Sequence, residues 1–151
     1  MNFLRRGVIA LTVMATAGTG LGIAAATSAS AQPPTVITTT SVQTSATFLA
    51  PNVEAFTFNE YQPSVLPPGF RLAATISELC LVGPIRSLCN WRYTSTALLH
   101  PQLRGNAIKG PSGQAGTIQG GTGIWRGARG VFRAVNIAPF TSSDTFVFTT
   151  P

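Results

Sequence analysis

The chain reads as all-β, with eight strands. Three observations predict this. Beyond residue 31, threonine, valine and phenylalanine dominate; glycine and proline interrupt the apolar runs at short intervals; and no apolar stripe of helical period persists. Eight runs of strand character imply either a sandwich or a closed barrel.

The first segment, residues 1–31, is set apart from this pattern. Arg5 and Arg6 precede an uncharged stretch from Gly7 onward, and Ala29-Ser30-Ala31 has the small-x-small form of a signal-peptidase site. These features predict a cleaved export signal and a secreted, extracellular protein with no membrane span after cleavage. A retained anchor is the competing reading, since residues 8–26 are long enough to span, but glycine and threonine dilute their hydropathy. The arginine pair leaves general and twin-arginine export both open.

Residues 32–151 have a length usual for one domain with a single core. Strands are expected over 36–47, 53–59, 70–81, 89–99, 103–109, 115–119, 130–137 and 145–150. The first is the threonine-rich TVITTTSVQTSAT, which suits a strand through its β-branched side chains but also suits a tether, so residues 32–50 are either strand or partly flexible. The second and last, with AFTF and TFVF, are rich in threonine and phenylalanine. Between the second and third, PSVLPPG (63–69) reads as loop because its prolines lack ladder donors. The sequence shows no internal repeat.

Charge excludes some functions. The basic residues of 32–151 are Arg71, Arg86, Arg92, Arg104, Lys109, Arg126, Arg129 and Arg133, against four carboxylates, and no two are adjacent. A solvated basic surface accounts for them, and no nucleic-acid partner is expected. A hydrolase triad would need His100 beside Asp144 and a serine on a GxSxG elbow, which the sequence lacks.

Cys80 and Cys89 are an even pair in a chain expected to be exported, which predicts one disulfide. Half of a metal site is the alternative, but no CxxC or HxxxH spacing accompanies them, and no metal is expected. A bridge between neighbouring antiparallel strands sets a register: Glu78 faces Trp91, Ile76 faces Tyr93, Ala74 faces Ser95, Leu72 faces Ala97 and Phe70 faces Leu99. That face is mostly apolar and is expected to line the interior. Glu78 then sits among aromatics, where desolvation raises a carboxyl pKa and fits it for proton transfer. Glu78 and Tyr93 are the candidate catalytic residues, and Trp91, Ile76, Phe70 and Leu72 the candidate substrate-binding ones. A satisfied carboxylate paired with Arg92 or Arg86 is the structural alternative for Glu78.

GGTGIWRGARG, at 120–130, admits three readings. Its glycines lack dinucleotide and P-loop spacing, and a strand follows where a helix would be needed. One tryptophan with two arginines is thin for a nucleic-acid loop. A backbone corner fits better: Gly120, Gly121, Gly123, Gly127 and Gly130 permit tight turns and close approach, with Trp125 plugging an end and Arg129 beside it.

The segment GTIQGGTGIWRGARGVFRA resembles the GGTGxFxxARG corner of the dirigent proteins and of the related barrels that include allene oxide cyclase, with Trp125 in the aromatic slot. Upstream, ELCLVGPIRSLCNWRYTSTALLHPQLRGNAIKG is similar to the two-cysteine pattern of bacterial members of that group. The resemblance spans about 76–137. It implies an eight-stranded antiparallel, calycin-type barrel over 32–151, assembly as a homo-oligomer (dimer or trimer), and an apolar pocket at the mouth. Family members steer reactive small molecules: dirigent proteins orient phenoxy radicals made by another oxidase, and allene oxide cyclase directs closure of an unstable epoxide. Neither uses a cofactor. The pocket acids of the plant proteins have no residue-by-residue match, so no catalytic residue is carried over. The expected function is a barrel that takes up an apolar small molecule and steers its cyclisation or stereoselective coupling, as a cofactor-free cyclase- or isomerase-like protein. A non-catalytic carrier and a structural, surface-interaction barrel are the alternatives.

Overall fold

The computed structural model describes residues 32–65 and 68–151; the expected export signal lies outside the described residues. Eight strands follow one another around a closed antiparallel barrel: β1 (Thr35–Ala50), β2 (Val53–Val65), β3 (Pro68–Val82), β4 (Ser87–Ser95), β5 (Gln102–Gly110), β6 (Gly113–Gly121), β7 (Arg129–Ala138) and β8 (Thr141–Thr149). β8 returns to β1, from Thr35↔Phe148 to Val42↔Thr141, which decides for the barrel over the sandwich. The threonine-rich run is therefore strand: its first half pairs with β8, its second half with β2, and only Thr40 to Val42 with both. Among the described residues no helix is long and apolar enough to cross a membrane.

Up-and-down winding gives the barrel two distinct ends. The β1–β2, β3–β4, β5–β6 and β7–β8 turns gather at one, here the disulfide end, where Asn52 and Phe140 take left-handed backbone (φ 63° and 58°). The other, the corner end, carries the β2–β3, β4–β5 and β6–β7 connections together with the outer ends of β1 and β8.

Alternation places one face of each strand inside. Ile76, Trp91, Tyr93, Leu103, Ile118, Phe132, Phe146 and Phe148 are buried there. Phe146 is the hub: its ring centroid lies 4.8 Å from Phe132, 5.0 Å from Tyr93 and 5.7 Å from Trp91. Each such pair adds about 0.5–1.5 kcal/mol beyond area burial. Gly105 makes room for Trp91: a Cβ there would lie 2.6 Å from the indole and would collide with the Thr117 carbonyl.

Cys80 and Cys89 form the expected disulfide, and its register holds through Glu78↔Trp91, Ile76↔Tyr93 and Ala74↔Ser95. There it stops. β4 ends at Ser95 rather than running to residue 99, so Leu72 faces Tyr61 and Phe70 faces Pro63, not Ala97 and Leu99. Ala73 is the extra residue of a bulge between Leu72 and Ala74, and Thr96 closes the strand end by donating its hydroxyl to the Ala73 carbonyl at 2.9 Å. Beyond this bulge β2 and β3 pair only with each other, through Val65↔Pro68, as an arm past the barrel wall. This corrects the expected loop at 63–69: strands with an unpaired outer side can hold prolines without losing a ladder bond.

Candidate functional site

Three of the chain's four carboxylates are enclosed. Glu60, Glu78 and Asp144 are buried, on β2, β3 and β8 respectively, and strand alternation turns each toward the lumen. Glu60 sits opposite Ala74 and follows Phe56 and Phe58 at two-residue steps; Asp144 precedes Phe146 and Phe148 in the same way.

Each acid has hydroxyl or amide partners rather than a full counter-charge. Thr39 donates its hydroxyl to Glu60 Oε2, and Ser41 also hydrogen-bonds this carboxylate. Gln114 Nε2 donates to Glu78 Oε2 at 3.1 Å, and Ser142 Oγ donates to Asp144 Oδ1 at 2.6 Å. The nearest cation is Lys109, half-buried, whose Nζ lies 3.9 Å from the centre of the Phe56 ring. Glu60 Oε1, Gln114 Oε1 and Trp91 Nε1 are buried with no hydrogen-bond partner among the described residues. Such orphaned polar atoms are uncommon inside proteins, and each leaves a donor or acceptor free for a ligand.

Burial raises the pKa of all three acids. For Glu60 the Ser41 and Thr39 hydrogen bonds oppose the rise, and for Glu78 the Lys109 charge does. Asp144 is pushed up to about 8, first by burial and then by the charges of Glu60 and Glu78. Burial and Glu60 also push the Tyr93 phenol well above its ordinary value. Burial thus favours the neutral form of each acid, and at neutral pH Asp144 holds its proton, ready to donate a hydrogen bond or the proton itself.

The disulfide end opens onto them. A cavity of about 200 Å³ is lined there by Phe58, Lys109, Gln114, Phe140 and Ser142 among others. Gln114 and Ser142 are the side chains that hold Glu78 and Asp144, so the mouth is one layer from both acids. At the corner end a second cavity of about 260 Å³ is bounded by Ile37, Arg71, Tyr93, Ser95 and Trp125.

Of the residues expected at the site, Glu78, Tyr93, Trp91 and Ile76 all face inward and are buried. Phe70 and Leu72 do not: they are 69% and 42% exposed, a correction that follows from the Ala73 bulge, which breaks the alternation that would have turned them in. Glu78 pairs with neither Arg92 nor Arg86; both are exposed. The glycine-rich segment is a corner. Gly123 and Gly127 take left-handed backbone (φ 59° and 76°), Gly121 passes close under the Trp125 carbonyl, and Trp125 closes the barrel end, 5.9 Å from the rings of both Tyr93 and Phe148. Gly130 lies against Phe148, Gly120 beneath the Arg104 side chain, and Arg129 donates to the Ala128 carbonyl at 2.9 Å. Glu60 and Asp144 were missed in the sequence, although their two-residue spacing from phenylalanines is the signal that finds them.

Among the described residues, the one group with metal-ligand spacing is Glu78 with Cys80 and Cys89. Its sulfurs are joined to each other, so it offers no thiolate.

No family model matches the sequence, and no curated protein matches it. Solved structures do. One is a pyocyanin demethylase, superposing with a TM-score of 0.60 at 13% identity over 76% of this chain and all of that one. The likeness shows the fold. An enzyme is thus built on a barrel of similar architecture, while the chemistry of this chain has to be argued from its own lumen.

Proposed function

We propose that this barrel admits a small apolar molecule through the disulfide end and steers its cyclisation or coupling by proton transfer from the enclosed acids, in the manner of the dirigent and allene oxide cyclase barrels. One observation carries the proposal: three carboxyl groups lie against an aromatic lumen, one layer behind an open mouth, with Lys109 the nearest cation. A protonated Asp144 gives its proton to one substrate atom while an ionised neighbour, Glu78, takes one from another. The site's charge is then unchanged and no redox partner is needed, as an isomerisation or ring closure requires. The aromatic floor of Trp91, Phe132 and Phe146 would hold one near-attack conformer and exclude water. The neighbour in architecture is, by its name, a demethylase acting on pyocyanin, which gives a precedent for catalysis on such a barrel. The buried disulfide fits an oxidising, extracellular setting.

Native mass spectrometry of the protein recovered from its own culture should find a retained small molecule. With that molecule as substrate, Glu78→Gln should lower conversion about 100-fold or more while leaving affinity within a few-fold. A structural barrel has its own support in the dense packing of Phe146 and its neighbours, which fills the lumen between the two end cavities. Unchanged conversion, or none by the native protein, would favour a non-catalytic carrier.

A further inference from the structure

Charge is sorted across the barrel wall. Glu60, Glu78 and Asp144 are inside, and Glu54 faces the same way because its ladder partner is the buried Cys80. All seven arginines of residues 32–151 are exposed. The outer wall therefore carries guanidinium groups with no carboxylate among them.

These arginines are not evenly spread. Arg92 on β4 and Arg104 on β5 are direct cross-strand partners, and Asn90 and Asn106 form the next outward pair. Like charges directly opposite destabilise a sheet, so this pair costs stability in the free protein. Ser77 flanks it, paired with Arg92 on β3, and Gln119 lies on the far side at the β6 bulge. Together Ser77, Asn90, Arg92, Arg104, Asn106 and Gln119 line a groove of about 620 Å³ on the outer wall. Gly120 helps to shape it, since a Cβ there would lie 3.0 Å from Arg104 Nε.

We propose that this groove binds an anionic polysaccharide, one that bears carboxylate or sulfate groups on a hydroxyl-rich backbone. Two adjacent guanidinium forks match planar or tetrahedral anions with paired hydrogen bonds and relieve each other's repulsion when an anion lies between them. The amides of Asn90, Asn106 and Gln119 and the Ser77 hydroxyl offer the mixed donors and acceptors that sugar hydroxyls need. The groove has no aromatic side chain on which a nucleic-acid base would stack, apart from Trp91, whose ring is buried on the other side of the wall. Glu78 also borders the groove, but its side chain is buried on the lumen side with the Trp91 ring, so the groove's own side chains include no carboxylate and anion binding there does not call on the lumen acids.

The test uses residues 32–151 with polygalacturonate, dextran sulfate, neutral dextran, a thymidine oligonucleotide and vesicles containing anionic lipid, measured by calorimetry at low and physiological salt. Binding of an acidic polysaccharide, weakening with salt, and little binding of neutral dextran are expected. Arg92→Gln or Arg104→Gln should each cost about tenfold in affinity. Either change should also raise Tm, because it removes a like-charge pair, a signature that a merely structural role for these arginines would not combine with lost binding. Arg86→Gln with Arg133→Gln removes two exposed charges elsewhere, one in the β3–β4 turn and one on β7, and should leave affinity within about two-fold. Equal loss in that control, equal binding of neutral dextran, tighter binding of oligonucleotide or vesicles, or no binding at all would each overturn the proposal.

Discussion

Asp144 shows how much one buried side chain sets here. Its folded pKa, about 8, lies far above the ordinary 3.8, so between these values the folded protein holds a proton that the unfolded chain releases. The unfolded state binds fewer protons in that window, and stability falls as pH rises. Below about pH 4 the carboxyl is neutral in both states and imposes no penalty; above about pH 8 the full cost of a buried charge applies. Glu60 and Glu78 act in the same sense. Melting should therefore drop by about 5 °C or more between pH 5 and pH 9, and Asp144→Asn should flatten the profile and be the more stable protein at pH 9. A profile that rises across this range would contradict the enclosure of these acids. Glu78 was legible in the sequence because a disulfide fixed its register. Glu60 and Asp144 were equally accessible to alternation, but they lie on strands with no such anchor, where a one-residue slip would have turned them outward.

The β3–β4 hairpin is the element the sequence specified most fully. Its disulfide, its register and its inward aromatics were all readable, because a covalent link nine residues long leaves one antiparallel alignment. Removing it with Cys80→Ala and Cys89→Ala should lower stability by about 2–3 kcal/mol, read by urea denaturation, with the barrel otherwise retained. The same hairpin marks where reading stopped. Nothing in residues 70–74 announces a bulge, since alanine fits a regular strand as well as a bulged one, so the fate of Phe70 and Leu72 depended on tertiary context. The prolines of 63–69 misled for a related reason: a missing donor argues against a paired strand only when both of its sides are paired. Among the described residues, the outer part of the arm lines neither the acid cluster nor the disulfide-end mouth, so replacing residues 63–70 by a short Asn-Gly turn should leave the barrel's Tm within a few degrees.

At the level of the whole molecule, closure and charge sorting are the two properties that composition alone could not reveal. The mild basic excess was correctly read as a surface property, yet its completeness, with carboxyl groups facing in and arginines facing out, needed the strand faces to be known. Closure brings Thr35 beside Phe148, so the outer ends of the first and last strands are neighbours. A circular permutant joined across them and opened at Pro111-Ser112 should fold to the same barrel, with circular dichroism and disulfide mapping unchanged. That seam also governs assembly of the chain. Seven hairpin contacts form between strands adjacent in sequence, but β1 must wait for β8, and until it docks the sheet has two bare margins. In crowded refolding those margins should meet a sister molecule sooner than each other, and size-exclusion chromatography should then show strand-exchanged dimers. Dilution before the final strand docks favours the solitary ring.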